Sequence, residues 1–176
     1  MELKDYVRSI PDFPKEGILF RDITPLLGNA DAFHEMVDKM ADFLRDKNID
    51  LIIAPEARGF IFSASVAYAL GVGMVLARKP GKLPYTTVSY QYGLEYGTDE
   101  LHMHIDSVQP GQRVAVVDDL LATGGTALAC AKLCEKAGGV VAACCFAIEL
   151  TDLPGREALK DYEVGTILKY QSNTGR

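Results

Sequence analysis

Five apolar runs of strand length, at 50–54, 74–78, 113–117, 140–150 and 164–170, alternate with stretches that read as helices. That alternation is the strongest constraint on this chain. It calls for an α/β domain with a mostly parallel central sheet flanked by helices, because parallel neighbours need a crossover between them. Residues 30–47 set Phe33, Met36, Val37, Met40, Ala41 and Leu44 at helical spacing, with Asn29 as N-cap. Further helices are expected over 59–70 and from Thr126 to Ala137, where Gly138 and Gly139 stop the second.

The run 59–77 carries no charge and lies between Arg58 and Arg78. Its length alone suits a membrane span. The Gly-Val-Gly at 71–73 divides it, however, into a buried helix and a buried strand, with Ser63, Ser65 and Tyr68 in the first part. No membrane segment is expected. The start of the chain mixes acids with bases and lacks the apolar core of a signal peptide.

With 176 residues and no repeat, low-complexity tract or linker, the chain reads as one domain, 1–176. Between Arg78 and Arg113 the texture changes to half-polar, aromatic segments that read as an extended or hairpin flap (79–104) laid over the sheet. The net charge of −6 argues against a nucleic-acid partner, which usually shows as a basic face. Cys130 and Cys134 stand one helical turn apart, and Cys144 and Cys145 point to opposite faces of a strand. No CxxC or Cys/His cluster supports zinc, so they read as reduced core thiols of a cytoplasmic protein.

Ligands of such sheets bind at the C-terminal ends of the strands. Three chemically loaded loops fall there: Pro-Glu-Ala-Arg-Gly (55–59), Arg-Lys-Pro-Gly-Lys (78–82) and Asp-Asp-Leu-Leu-Ala-Thr-Gly-Gly-Thr (118–126). In the last, Gly124 and Gly125 permit close backbone approach, Thr123 and Thr126 add hydroxyls, and a helix N-terminus follows. These make a cradle for a phosphate monoester. The pattern is not a Walker A loop, and a kinase or nucleotidase lacks its own phosphate-transfer motifs here. Two adjacent carboxylates, Asp118 and Asp119, repel unless they meet donors or cations. Beside a phosphate cradle the vicinal hydroxyls of a ribose are suitable partners, held directly or through a metal.

Val-Val-Asp-Asp-Leu-Leu-Ala-Thr-Gly-Gly-Thr (116–126) closely resembles the phosphoribosyl pyrophosphate (PRPP) motif of the type I phosphoribosyltransferases. The segments 11–27, 56–62, 78–84, 94–97 and 110–126 together resemble the adenine-specific branch of that family. The resemblance implies Mg²⁺-dependent transfer of a phosphoribosyl group from PRPP to N9 of adenine, giving AMP and pyrophosphate in purine salvage. It further implies that Glu56, Ala57, Arg58, Arg78 and Lys79 join Asp118, Asp119, Ala122, Thr123, Gly124, Gly125 and Thr126 in binding PRPP. Arg58 and Lys82 would act on the leaving pyrophosphate and Glu95 on a purine proton, with Tyr96 helping to position the flap. Mg²⁺ would be held mainly by PRPP, with Asp118 or Asp119 acting through water.

The segment 1–28 would bind the base. Phe20 and Leu120 would sandwich adenine, and backbone groups at Leu19 and Arg21 would read its edge. Pro11 and Pro14 are expected to keep this segment stiff and extended. A 6-oxopurine would leave a buried donor and acceptor unpaired, at about 1–3 kcal/mol for each group. The family pattern also implies a homodimer, with Arg78 near the neighbouring subunit's site. One departure stands out: His102 occupies a position where relatives commonly carry Glu. His102 and His104 share a strand face, but no third metal ligand is evident. The competing readings are a non-catalytic PRPP-sensing regulator, which would need a DNA-binding domain and a basic surface, and a transferase for a 6-oxopurine.

Overall fold

A computed structural model describes residues 1–93 and 97–173. A short 3₁₀ turn (Leu3–Tyr6) leads into β1 (Arg8–Ile10), which pairs antiparallel with β2 (Phe20–Asp22). Helices α1 (Thr24–Gly28) and α2 (Ala30–Leu44) follow, then β3 (Leu51–Pro55), α3 (Gly59–Leu70) and β4 (Gly73–Ala77). An antiparallel hairpin comes next, β5 (Thr87–Gly93) and β6 (Thr98–His104). The chain closes with β7 (Arg113–Leu121), α4 (Gly125–Lys136), β8 (Val140–Leu150), α5 (Gly155–Ala158) and β9 (Val164–Tyr170).

Five strands form one parallel sheet in the order β4-β3-β7-β8-β9. β3 and β7 are neighbours, so the loops leaving their C-terminal ends meet. Side chains alternate between two apolar layers, as the pleat requires. Ile52, Ala115 and Cys145 pack with α2 and α3 on one face, whereas Ile53, Val116 and Cys144 pack with α4 on the other. The Asn29 carboxamide accepts from the Ala32 N–H at 3.0 Å and caps α2 as expected. All four cysteines are free and buried. Burial pushes the thiols of Cys134, Cys144 and Cys145 up to about 12, well away from reactive thiolates.

The uncharged run becomes α3, a turn at Gly71 and β4, and no helix among the described residues is long and apolar enough to cross a membrane. Three expectations change. The β7 strand runs to Leu121, so both acids sit within the strand instead of beyond its end. The hairpin is not merely laid over the sheet, because Leu101 and Met103 are fully buried in the α4-side core. The prolines do not hold 11–17 extended. Asp12 takes φ 57°, its carboxylate accepts from the Gly17 N–H at 2.9 Å, and Phe13 N–H reaches the Ile18 carbonyl. A local turn satisfies more backbone groups than an extended segment would.

Candidate active site

The loop after β7 closes a cavity of about 200 Å³, lined by Arg58 and by the unbroken run from Asp118 to Ala127. The α4 helix starts at Gly125, so its unpaired N-terminal N–H groups border the cavity. Gly124 caps that helix at φ 86°, and a Cβ there would stand 2.8 Å from Ala158 Cβ. A Cβ at Gly155 would in turn lie 2.7 Å from the Ala122 carbonyl oxygen. The turn of α5 therefore props the cradle from beneath, and only glycines allow the approach. The Leu-Pro-Gly-Arg run at 153–156 was the available sequence signal for this support.

The acids do not behave alike. Asp119 is buried and its Oδ2 lies 3.0 Å from Arg58 Nε. Burial, and then the neighbouring Asp119 charge, raise the Asp118 carboxyl well above its ordinary range. Asp118 Oδ1 accepts from the Asp119 N–H at 2.8 Å and sits where a Cβ on Gly59 would fall, at 2.7 Å. The first residue of α3 thus has to be glycine for Asp118 to keep its place.

The loop after β3 supplies Glu56, Ala57 and Arg58, and the Glu56–Ala57 peptide is cis. Glu56 draws three neighbours together. Its Oε1 accepts from the Lys79 N–H at 2.7 Å and lies 3.5 Å from Arg78 Nε, and its Oε2 lies 3.4 Å from Lys82 Nζ. Burial works to raise the Glu56 carboxyl, but these hydrogen bonds and cations prevail and lower it. The Lys79 side chain turns to the hairpin, where its ammonium pairs with Asp99 and lies 3.4 Å from the Tyr92 hydroxyl. The Asp99 carboxyl is lowered, first by the Lys79 hydrogen bond and next by the Glu100 N–H.

The N-terminal segment approaches this site at Phe20, whose ring centre lies 5.5 Å from the Arg58 guanidinium. Phe13 packs edge-on against Phe20 at 5.1 Å. Leu120 lines the cavity, whereas Leu19 lines a separate hollow of about 220 Å³ beside Pro11 and Gly17. The Arg21 side chain is anchored away from solvent, donating to Ser9 Oγ at 2.6 Å and to the Gln171 carbonyl at 2.7 Å. That leaves the backbone as the part of Arg21 that could read a base.

Glu95 and Tyr96 lie outside the described residues. His102 spends its ring on Glu100 Oε1 at 2.6 Å and Thr87 Oγ1 at 2.9 Å, while His104 Nε2 accepts from the Tyr85 N–H. Among the described residues no three His, Cys, Asp or Glu side chains gather as a metal site. Asp99 and Tyr92 were missed at the level of sequence. Both stand in segments read only for their aromatic texture and their histidines.

The Phosphoribosyl transferase domain family matches residues 27–174. An adenine phosphoribosyltransferase of Clostridium perfringens is 59% identical over 170 residues, covering 97% of this chain and 99% of the relative. The chain belongs to the adenine phosphoribosyltransferase family. The Thermoanaerobacter pseudethanolicus adenine phosphoribosyltransferase superimposes with a TM-score of 0.93 at 55% identity, covering 96% of this chain and 98% of that one. The Saccharomyces cerevisiae enzyme, solved with an imino-altritol bisphosphate and adenine, gives 0.88 at 37% identity, covering 94% and 96%.

Proposed function

We propose that this chain transfers the phosphoribosyl group of PRPP to N9 of adenine, releasing pyrophosphate and forming AMP. The observation that carries the reading is the convergence of Arg58 with Asp119 and the 118–127 cradle at one cavity, with the Phe20 ring 5.5 Å from the Arg58 guanidinium. The 5-phosphate sits at Thr123, Gly124, Gly125 and Thr126, on backbone N–H groups and the start of α4. Asp118 and Asp119 face the ribose hydroxyls. Backbone groups of Glu56, Ala57 and Arg58, with the Arg58 guanidinium, take the pyrophosphate, while Arg78, Lys79 and Lys82 bring further charge.

Transfer passes through an oxocarbenium-like state at C1′, so neutralising the leaving group and aligning the two reactants dominate the barrier. Mg²⁺ supplies part of that neutralisation when bound, with Asp118 or Asp119 reaching it through water. Phe20 and Leu120 hold the base between them, and the backbone at Leu19 and Arg21 selects adenine. Glu95 handles a purine proton from the flap. The free, buried cysteines support a reducing cytoplasmic setting. A homodimer is supported by the apolar side chains left on α3 and the β4 edge, where Tyr68 is 91% exposed and Ile61 and Leu76 are also bare. Arg78, next along the chain from β4, lies near that edge.

The test is to incubate the protein with PRPP and Mg²⁺ and, separately, adenine, hypoxanthine, guanine or xanthine, then to resolve the nucleotides by chromatography. AMP from adenine, with little product from the others, is expected. Product mainly from a 6-oxopurine would overturn the base pocket while keeping the PRPP chemistry. Bound PRPP without any product would favour a sensor.

A further inference from the structure

Each cation around the pyrophosphate loop meets a carboxylate of its own chain. Arg58 meets Asp119, and Arg78 and Lys82 meet Glu56. The fourth pair differs in where its acid comes from. Asp99 belongs to β6 of the hairpin, outside the parallel sheet and its loops, and its Oδ2 accepts from the Lys79 ammonium. The Tyr92 hydroxyl lies 3.3 Å from that same oxygen, and the Glu100 N–H donates to the other at 2.8 Å. The Asp99 carboxylate is therefore fixed on three sides, whereas the Lys79 stem is flexible.

The cluster sits beside the phosphate cradle, since a Cβ on Gly125 would touch the Tyr92 ring at 3.6 Å. It is also open. The Lys79 and Asp99 side chains keep 39% and 29% of their surface, so an arriving anion can reach the ammonium. A carboxylate carries one charge, and a diphosphate carries more on several acceptor oxygens. The two compete for one flexible cation, and the diphosphate has the stronger claim.

We propose that Asp99 is the internal stand-in for pyrophosphate on Lys79, an affinity-setting residue that the diphosphate of PRPP must displace. This rests on the reading that the strand-end loops bind PRPP. The arrangement keeps the ammonium partnered before the substrate arrives, and gives it a partner to return to when pyrophosphate leaves. The cost is a weaker grip on both anions.

Isothermal titration of pyrophosphate with Mg²⁺ into the full chain at low ionic strength tests this. Asp99→Asn should bind pyrophosphate about two- to fivefold more tightly than the unsubstituted chain, the scale of a partly exposed ion pair. Asp99→Glu should retain the original affinity, and the gain should shrink as salt is added. In a Lys79→Met background the Asp99→Asn change should have no effect. Asp99→Ser serves if the Asn variant does not fold. Unchanged or weaker binding in Asp99→Asn would overturn the proposal, as would an equal gain in the Lys79→Met background. That second result would mean a general loss of negative charge. Absence of pyrophosphate binding by the unsubstituted chain would instead overturn the PRPP reading, and this inference with it.

Discussion

At Gly59 the absence of one carbon decides where Asp118 can stand. A Cβ there would fall 2.7 Å from Asp118 Oδ1 and 3.3 Å from Pro55 Cδ, so Gly59→Ala has to push the acid or the strand end aside. Overpacking of this kind costs about 1–3 kcal/mol, and here it is spent at the acid proposed to face the ribose. The expected result is a rise of about tenfold or more in KM for PRPP, with KM for adenine little changed. Steady-state kinetics with each substrate varied in turn would check it, and an unchanged PRPP value would detach Asp118 from the site. The paired acids were legible from sequence because no apolar core explains them. Arg58 was legible as a cation in a strand-end loop, but its pairing with Asp119 was not, since that depends on β3 and β7 being neighbours. Asp99 was invisible because its importance comes from a lysine twenty positions earlier.

Glu149 shows how β8, α5 and β9 act as one support beneath the loop proposed to hold the phosphate. Its carboxylate is buried and accepts from Arg156 Nε at 2.9 Å, Arg156 Nη2 at 3.0 Å and the Thr166 hydroxyl at 2.8 Å. Burial tends to raise this carboxyl, but the Arg156 and Thr166 hydrogen bonds outweigh it and hold the group below its ordinary 4.5. A carboxyl lowered in the folded state contributes stability that is complete above the unfolded value and is lost as pH falls through the folded one. Glu149→Gln should therefore destabilise the chain by about 1–2 kcal/mol at neutral pH. Urea unfolding at pH 7 and pH 4 should show the difference from the unsubstituted chain narrowing at the lower pH. Helices and strands were largely readable from periodicity, down to the bounds of 59–70 and 140–150. The N-terminal turn was not, because Asp12 at φ 57° answers to its own side-chain bond with Gly17 and not to proline stiffness.

Across the whole molecule large apolar side chains are exposed in several places, and one group of them lies on α3 and β4. Tyr68, Ile61 and Leu76 stand exposed on α3 and β4, beside the hollow of about 540 Å³ between α2 and α3. If that side joins two copies, Tyr68→Glu should bury a charge at the joint and shift the chain from dimer to monomer. Size-exclusion chromatography with light scattering reads this directly, and an unchanged mass would move the joint elsewhere. Neither the exposure nor its direction could be seen in the sequence, where 59–77 reads as a buried helix and a buried strand, with Tyr68 in the first. Within the sheet, β7 and β8 share eight registered pairs, but β3 and β7 share three, Leu51 with Val114, Ile52 with Ala115 and Ile53 with Val116. The two halves of the proposed site are thus stitched along the shortest seam in the sheet. A slip of one residue there would turn every β3 side chain to the wrong face and carry Arg58 about 3.3 Å along the strand, out of reach of Asp119. The seam's register is in effect the gauge that sets the width of the site.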